Sequence, residues 1–277
     1  MRLISWNVAS LRARLPRVRE LREELEPDAL CLQETKCAPD QLPREAIASY
    51  GYRIDDHSAG RWNGVAVLTK IEDADPADGD PALEASGQTV AGLPVEHDPE
   101  QARWVETTVG GITVASVYVV NGKALDHPDY QAKLQFFRAM ADRVRELTAA
   151  GRPVAVLGDM NVCPTDEDCW DPAQFVGHTH TSEPERAALR GVLEAGPLVD
   201  VHVAFNGALD AEGARQYTWW DYRAGAFHKN WGLRIDHALL DEQTASRVTA
   251  VGIARDYRKG EKPSDHVPLV IDLADPA

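Results

Sequence analysis

Acidic and amide side chains directly follow a short apolar run near the middle of the chain. Residues 154–157 are apolar, and Gly158, Asp159 and Asn161 come next. A buried strand would give these side chains a rigid mount, and the glycine would let the backbone turn sharply. A carboxylate only accepts hydrogen bonds, whereas an amide both donates and accepts them. Together they suit holding a water molecule or a metal ion beside a phosphate.

The same pattern recurs elsewhere in the sequence. Taken singly, Glu34 fits a solvated turn, Asp236 a buried ion-pair partner and His266 a structural histidine. Their shared position favours one common site instead. The polar residues at or beside the predicted strand ends are Asn7, Glu34, Tyr118, Asn121, Asp159, Asn161, Asp236, Asp265 and His266.

Hydrolysis of a phosphodiester is the chemistry that needs these residue types together. Mg²⁺ prefers carboxylate oxygens and keeps several waters, and Glu34 is the first candidate ligand. Asp159 suits the base that positions the attacking water, and Asn161 suits a phosphate contact. Asp236 would fix the imidazole of His266 in one orientation. The predicted catalytic residues are Tyr118, Asp159, Asn161, Asp236 and His266.

Length and composition fit a globular enzyme. The 277 residues, 44% of them hydrophobic, suffice for one large α/β domain or two small ones. No apolar run approaches the roughly 20 residues that cross a bilayer. The N-terminus enters a strand-like run at once, so we expect no signal peptide, no membrane partner and a cytoplasmic location. Four cysteines without a CxxC pair indicate reduced thiols. The spacing of one conceivable zinc set matches no standard ligand pattern: Cys163, Cys169, His178 and His180.

The formal net charge of −15 argues at first against a nucleic-acid partner. Nine acidic residues and no lysine or arginine lie between residues 72 and 100, together with proline and glycine. That stretch is predicted to be an exposed acidic loop insertion. Basic residues gather instead at residues 12–22, 215–234 and 255–262. They fit either solvated helix and loop charges or contacts to a polyanion.

Apolar patterns predict the elements that would carry the polar residues. Strands are predicted at 3–6, 29–32, 65–68, 154–157, 199–203, 217–220, 235–240 and 267–271, and a hairpin at 103–109 and 112–120. Helices are predicted at 11–25, 130–149 and 183–194, the last capped by Ser182. This irregular alternation predicts two packed sheets with helices outside them.

Eight motifs in one order, from residue 3 to about residue 272, resemble the exonuclease III family of apurinic/apyrimidinic endonucleases. That family lies within the endonuclease/exonuclease/phosphatase superfamily. Each motif is weak alone, but the ordered set is specific. The motifs are Ser5-Trp6-Asn7-Val8, Leu32-Gln33-Glu34-Thr35-Lys36, Gly64-Val65-Ala66-Val67-Leu68-Thr69-Lys70, Tyr118-Val119-Val120-Asn121-Gly122, Gly158-Asp159-Met160-Asn161, Trp219-Trp220-Asp221-Tyr222-Arg223, Gly232-Leu233-Arg234-Ile235-Asp236 and Ser264-Asp265-His266.

The resemblance implies a four-layer α/β sandwich, in which two packed mixed β-sheets are flanked by helices. It implies a single domain over residues 1–277, from which the acidic loop insertion around 72–100 is a departure. It also implies Mg²⁺ or Mn²⁺ bound chiefly at Glu34, and a dyad of Asp236 and His266. The residues implied near a possible second metal position are Asn7, Asp159, Asn161 and Asp265.

A DNA-binding set is carried over from the same resemblance. Trp219, Leu233 and Ile235 match the family's pocket for a base-less sugar, although Trp219 also fits core packing. The implied partner is double-stranded DNA with abasic sites or 3′ ends, bound by a monomer. Residues at positions of phosphate contacts, which give affinity without sequence preference, are Arg12, Lys36, Asn121, Arg223 and Asn230.

Besides the acidic insertion, the loop at Ala9 and Ser10 departs from the family pattern. Relatives usually have Asn or Asp at the position of Ala9 and Gly at the position of Ser10. Ala9 cannot be a ligand, which puts a second metal in doubt. Ser10 would change the path of the loop if the glycine position has a positive φ.

The expected function is a metal-dependent DNA-repair phosphodiesterase that cuts 5′ to abasic sites, trims 3′ ends, or both, and leaves a 3′-hydroxyl. No lysine Schiff base is needed, so a lyase step is not expected. One alternative keeps the catalyst but acts on RNA or a phosphoinositide; residues 219–223 and 232–236 favour the DNA-repair branch instead. The other alternative is a non-catalytic DNA-binding relative, against which the intact set of polar residues argues.

Overall fold

Two six-stranded mixed β-sheets lie face to face in a computed structural model, which describes residues 1–71, 89–94, 97–98, 100–210 and 212–276. In the first sheet only the two central strands, β1 and β2, run parallel. Its strands in pairing order are β13 (Val248–Ile253), β14 (Leu269–Leu273), β1 (Arg2–Asn7), β2 (Ala29–Gln33), β4 (Val65–Lys70) and β3 (Tyr52–His57).

The second sheet repeats this arrangement with one parallel pair, β7 and β8, near its centre. Its strands in pairing order are β5 (Val90–Ala91), β6 (Trp104–Val109), β7 (Ile112–Tyr118), β8 (Val154–Asp159), β12 (Asp236–Asp241) and β9 (Leu198–Asp200). A small antiparallel pair, β10 (Trp219–Trp220) and β11 (Gly232–Leu233), lies outside both sheets.

Helices cover the outer face of each sheet. The helices are α1 (Leu11–Leu25), α2 (Arg44–Ser49), α3 (Pro128–Ala149), α4 (Glu183–Ala195), α5 (Val201–Asn206), α6 (Ala226–Lys229) and α7 (Glu242–Ala245). Helix α1 packs on the first sheet, and α3 and α4 pack on the second. The order helix, sheet, sheet, helix confirms the four-layer α/β sandwich. Among the described residues, no helix has the length and apolar character needed to span a bilayer.

The alternation of side chains along the strands produces these layers, because successive residues of a strand point to opposite faces. In β1, Leu3 packs between the two sheets, whereas Ile4 packs against α1. In β8, Leu157 lies between the sheets and Val156 lies under α3 and α4. Both faces of each sheet are therefore buried, which explains why the central strands are continuous apolar runs.

Several predicted boundaries change in the structure. The predicted strand 199–203 is wrong in its second half, because the chain leaves β9 at Asp200 and enters α5 at Val201. The sequence did not predict strand β13, because it is an edge strand in which Thr249 and Gly252 interrupt the apolar pattern. The predicted helix 11–25 is confirmed as α1. The predicted acidic insertion lies mostly outside the described residues.

Candidate active site

The polar residues converge at one edge of the two sheets. Asn7 ends β1 and Glu34 follows β2, which runs parallel to β1. In the second sheet Tyr118 ends β7 and pairs with Asp159 at the end of the parallel strand β8. Strand β12 runs the opposite way and therefore begins at this edge, where Asp236 pairs with Asp159.

Gly158 permits a close approach between strands rather than a sharp turn. Strand β8 continues through Gly158 to Asp159. A Cβ atom at Gly158 would lie 2.0 Å from the carbonyl oxygen of Val117. Any side chain there would separate β7 from β8, so the glycine keeps Tyr118 and Asp159 side by side. The predicted turn at this glycine is therefore wrong.

Asp236 and His266 form the predicted carboxylate–imidazole pair. Asp236 Oδ2 lies 2.8 Å from His266 Nδ1, and both residues are buried. Burial lowers the pKa of His266, but the negative charges of Asp236 and Asp159 outweigh it and raise that pKa to about 10. His266 is therefore an imidazolium at neutral pH. Its Nε2 lies 3.6 Å from Asp159 Oδ2 and faces the same pocket.

Asp159 has the properties of a general base near neutral pH. Burial raises its pKa to about 7, with Asp236 and Glu34 adding to the rise and His266 opposing it. A base whose pKa is close to the working pH transfers protons efficiently. Asp159 is also fixed in place, since its Oδ2 accepts from Asn7 Nδ2 at 3.0 Å. Its Oδ1 accepts from the backbone N–H of Asn161 at 2.9 Å.

Glu34 is suited to hold a hard divalent cation. Burial disfavours its ionised form, but the Lys36 ammonium and the Asn7 amide lower its pKa below the usual value. Lys36 Nζ lies 2.5 Å from Glu34 Oε2, and Asn7 Nδ2 donates to Oε1 at 2.9 Å. The carboxylate is thus ionised, only partly exposed, and held by one cationic donor and one neutral amide donor. An oxygen ligand of this kind fits Mg²⁺ or Mn²⁺.

Carboxylate oxygens of Glu34 and Asp159 and a ring nitrogen of His266 lie within 4.8 Å of one another. In the described residues, no other set of three histidine, cysteine, aspartate or glutamate ligand atoms lies so close. A protonated imidazole cannot donate a lone pair and would repel a metal, so Glu34 rather than His266 is the member of this group that could hold a cation. The conceivable zinc set of Cys163, Cys169, His178 and His180, whose spacing matches no standard pattern, is not among the close groups of ligand atoms in the described residues.

Asn161 and Asn121 form an amide pair on the opposite wall. Asn161 Nδ2 donates to the Val119 carbonyl at 3.0 Å, and Asn121 Nδ2 donates to Asn161 Oδ1 at 3.2 Å. Both side chains line the pocket. Asn161 has a φ of 53°, a left-handed conformation that asparagine tolerates better than most residues.

A buried ion pair supports this wall from behind. Lys133 Nζ donates to the carbonyl oxygens of Asn161 at 2.7 Å and Asn121 at 3.2 Å. The same ammonium lies 2.5 Å from Glu185 Oε1, and neither side chain is exposed. Glu185 also closes the capping box of α4 with Ser182. The pair therefore joins α3 and α4 to the loop that carries Asn161.

Tyr118, the last residue of β7, lines the same pocket. Burial raises the pKa of its phenol, and the negative charges of Glu34 and Asp159 raise it further. The hydroxyl is therefore protonated and able to donate a hydrogen bond, as a phosphate contact requires. The Arg103 guanidinium lies 4.8 Å from the centre of the Tyr118 ring.

The predicted sugar pocket forms the remaining wall. Trp219, Leu233 and Ile235 all line the same cleft as Asp159. Trp219 Nε1 donates to Asp265 Oδ2 at 3.1 Å, so Asp265 lies on this side rather than in the close group with Glu34.

Residues predicted to contact DNA phosphates fall into two groups. Asn121 lines the cleft, and Lys36 contacts Glu34. Arg12, Arg223 and Asn230 are exposed on the surface, outside the cleft. The Arg223 guanidinium is tied to Asp221, with Nη2 at 2.6 Å from its carboxylate.

Sequence reasoning missed two contributors to the site. His180 lines the cleft, and its Nδ1 lies 2.6 Å from the Asn161 carbonyl. Burial and the nearby Lys133 charge lower the pKa of His180 to about 4, so its ring is neutral. No motif pointed to His180. Lys133 did carry a signal, since it is a charged residue on the apolar face of α3 beside Tyr130 and Phe137.

Left-handed backbone conformations are concentrated around the site. Glu34, Lys36 and Asn161 have φ values of 52°, 51° and 53°, and Ala9 has 52°. Ser10, the next residue, has a φ of 150° and caps α1. Such conformations cost about 1–2 kcal/mol for a residue with a Cβ. The loop therefore keeps a glycine-like path although this chain has Ala9 and Ser10 there.

Replacing Ala9 by glycine is expected to raise the free energy of unfolding by roughly 1 kcal/mol, since glycine adopts a positive φ without the Cβ clash. Urea unfolding followed by circular dichroism measures the change. The matched control is Ala13→Gly within α1, which should lower stability by about 1 kcal/mol because glycine is a poor helix former. A loss of stability in both variants would contradict the assignment of strain to Ala9.

Comparison with known proteins places the chain in a family. Residues 4–266 match the Endonuclease/Exonuclease/phosphatase family. The chain is 31% identical to exodeoxyribonuclease III of Haemophilus influenzae, over 97% of this chain and 98% of that protein. It is similar to a 3′ phosphatase from Neisseria bound to a product DNA hairpin, with 35% identity, a TM-score of 0.86 and 99% of each chain covered. An AP endonuclease from Archaeoglobus fulgidus gives 30% identity, a TM-score of 0.86 and the same coverage.

These matches confirm the resemblance to exonuclease III and its apurinic/apyrimidinic relatives, and they agree with the two mixed sheets flanked by helices. Relatives that are named as an exodeoxyribonuclease and an AP endonuclease align over nearly the whole chain. The chain belongs to the Endonuclease/Exonuclease/phosphatase family.

Proposed function

We propose that this chain is a metal-dependent nuclease of DNA repair. It hydrolyses the DNA backbone 5′ to abasic sites, trims 3′ ends, or both, and leaves a 3′-hydroxyl. One observation carries the proposal: the buried Asp159 carboxylate lies between the imidazolium of His266 and the Asn7 amide that joins it to Glu34. A binding protein that lacked catalysis would have no use for this arrangement.

The proposed roles follow from the contacts. Asp159 takes a proton from the attacking water, since its pKa is near neutrality and its second oxygen is fixed. His266, held by Asp236, presents a positive N–H to a phosphoryl oxygen as negative charge develops there. Tyr118 and Asn161 donate hydrogen bonds that orient the phosphate.

Mg²⁺ or Mn²⁺ is the proposed cofactor, held chiefly by Glu34. When bound, such a cation acts as a Lewis acid on a phosphoryl oxygen and neutralises developing charge. The absence of a ligand side chain at Ala9 weakens a second position, so we propose that one cation suffices. The other residues proposed for the metal site are Asn7, Asp159, Asn161 and Asp265.

The proposed substrate is double-stranded DNA with abasic sites or 3′ ends, bound by a monomer formed as a single domain. A similar 3′ phosphatase holds a DNA hairpin, which supports a DNA substrate. The apolar wall of Trp219, Leu233 and Ile235 suits a sugar without its base. Four free, buried cysteines support a reducing, cytoplasmic setting. The proposed phosphate contacts are Arg12, Lys36, Asn121, Arg223 and Asn230.

A Glu34→Gln variant tests the proposal. We expect its cleavage of an abasic duplex in Mg²⁺ to fall at least about 100-fold, because the metal supplies several kcal/mol of transition-state stabilisation. Gel assays on abasic, recessed-3′ and 3′-phosphate duplexes measure the rates. Glu23→Gln, an exposed change on α1, is the control and should cleave normally.

Three outcomes of the same panel would contradict the proposal. Cleavage by Glu34→Gln at wild-type rates would show that Glu34 does not hold a metal ion that the reaction needs. Turnover of RNA or a phosphoinositide by the wild-type protein, with all three DNA substrates intact, would assign another substrate. DNA binding without cleavage in Mg²⁺ or Mn²⁺ would make the chain a binding protein.

A further inference from the structure

A second pocket is lined by the same two chain segments that contribute to the catalytic cleft. It has a volume of about 450 Å³ and lies between the loop that leads into α6 and the loop before Pro263. Asp221 and Pro263 line this pocket, whereas Trp219 and Asp265, each two residues away, line the catalytic cleft. The same two chain segments therefore form a wall of both pockets.

Arg258 lines the second pocket and, among the described residues, has one hydrogen bond and no ion-pair partner. The residue is only 9% exposed. Its one hydrogen bond runs from Nη2 to the Trp220 carbonyl at 3.3 Å, and its buried Nε has none. Within the part of the chain that the structure describes, the Arg258 guanidinium forms no ion pair within 4.0 Å, and Asp265 and Asp221 act on it only from farther away. Burial lowers the pKa of Arg258 by more than these charges and Tyr222 raise it.

Aromatic rings hold the guanidinium in one orientation. Its central carbon lies 4.8 Å from the centre of the Tyr222 ring and 5.6 Å from that of Phe227. Contacts with aromatic faces leave the nitrogen edge of a guanidinium as the part that bonds a ligand. A planar fork of N–H groups matches a phosphate better than a lysine does.

The other charges of the pocket favour an anion. Lys259 and His228 line it as well. Lys259 is paired with the exposed Asp256 at 2.5 Å. Asp221 is the carboxylate of the lining, and its charge is already neutralised by Arg223 at 2.6 Å.

We propose that Arg258 and the pocket around it bind a phosphate of the DNA backbone next to the one that is cleaved. A strand that crosses the catalytic cleft meets both pockets, because Trp219–Asp221 and Pro263–Asp265 span them. An anionic phosphate would also supply the partner that the buried guanidinium lacks. This inference rests on the proposed function in taking DNA as the ligand.

Salt-dependent binding tests the inference without catalysis. Binding of an undamaged duplex is measured in EDTA over a range of KCl concentrations. Each phosphate contact contributes about 0.9 to the slope of log K against log[KCl]. We expect Arg258→Met to make the slope shallower by about that amount, and Arg258→Lys to keep the slope with weaker binding. Arg19→Met, which removes an exposed arginine on α1, should change neither.

An unchanged slope in folded Arg258→Met would overturn the proposal. If that variant does not fold, Arg258→Gln decides: a slope equal to that of the wild type would show that the guanidinium contacts no phosphate. Thermal unfolding in sodium phosphate, compared with NaCl of equal ionic strength, separates the two sources of phosphate. Stabilisation by free phosphate alone, with an unchanged DNA slope, would overturn the assignment to the DNA backbone.

The outcome is separable from that of the proposed function. A shallower salt slope in Arg258→Met, together with no cleavage of any duplex by the wild-type protein, would support the phosphate pocket and contradict the nuclease proposal. Cleavage of the abasic duplex with an unchanged slope would keep the nuclease and reject the pocket.

Discussion

Asp159→Asn is expected to slow cleavage of an abasic duplex by about 10³-fold and to raise the Mg²⁺ concentration needed for half-maximal rate. The amide cannot accept the proton from water. It also cannot replace both acceptor oxygens, since Oδ1 and Oδ2 accept from the Asn161 N–H and the Asn7 amide. The NH₂ group of the new asparagine would therefore face either the Asn161 N–H or the Asn7 amide, and two donors cannot form a hydrogen bond. Single-turnover rates across a series of Mg²⁺ concentrations measure both effects.

The control for this variant is Asp142→Asn, an exposed aspartate of α3 paired with Arg145. It carries the same chemical change away from the site and should cleave at the wild-type rate. A full rate for Asp159→Asn at low Mg²⁺ would show that another group activates the water. A normal rate reached only at high Mg²⁺ would leave Asp159 as a metal ligand and remove its role as base.

Lys133→Met is expected to lower the free energy of unfolding by about 3–5 kcal/mol, because it leaves a buried carboxylate without its partner. Glu185 is fully buried and its Oε1 also accepts from the His180 backbone N–H. Urea unfolding measures the loss. The control is Lys123→Met, which breaks the exposed pair with Asp129 and should change stability by less than about 1 kcal/mol.

The double variant Lys133→Met, Glu185→Leu separates charge from packing. Two apolar side chains of similar volume can replace the charges of a buried ion pair at little cost, so part of the lost stability should return. The rest should stay lost, because Glu185→Leu also removes the acceptor of the His180 N–H and of Ser182. Cleavage by the double variant should be slower than by the wild type, because the Asn161 and Asn121 carbonyls lose the ammonium that fixes them. A double variant as active as the wild type would show that the pair stabilises the fold without positioning these amides.

The central strands could be predicted from the sequence, because both faces of each sheet are buried and these strands are therefore continuous apolar runs. Residues 29–32 and 154–157 are apolar throughout, and the polar residues after them could only lie at a sheet edge. The edge strand β13 and the short helix α5 could not be predicted in the same way. Packing against neighbouring elements, rather than an apolar pattern, decides their conformation.

The residues of the active site could be predicted more fully than the residues that hold them in place. Asn7, Glu34, Asp159, Asp236 and His266 occur in motifs, and the structure brings them together. Contacts between residues far apart in sequence carry no such signal. Lys133 and Glu185, for example, are 52 residues apart, and only the packing of α3 against α4 joins them.

The pairing of β1 with β14 has a consequence for synthesis of the protein. In the first sheet, β1 lies between β2, which follows it closely in sequence, and β14, which is synthesised more than 200 residues later. Asp236, Asp265 and His266 are also synthesised after Glu34 and Asp159. A growing chain thus carries Glu34 and Asp159 long before it carries the dyad. Because the early segments need the later ones to complete the sheet and the site, we expect activity only after the segment with β14 has been synthesised.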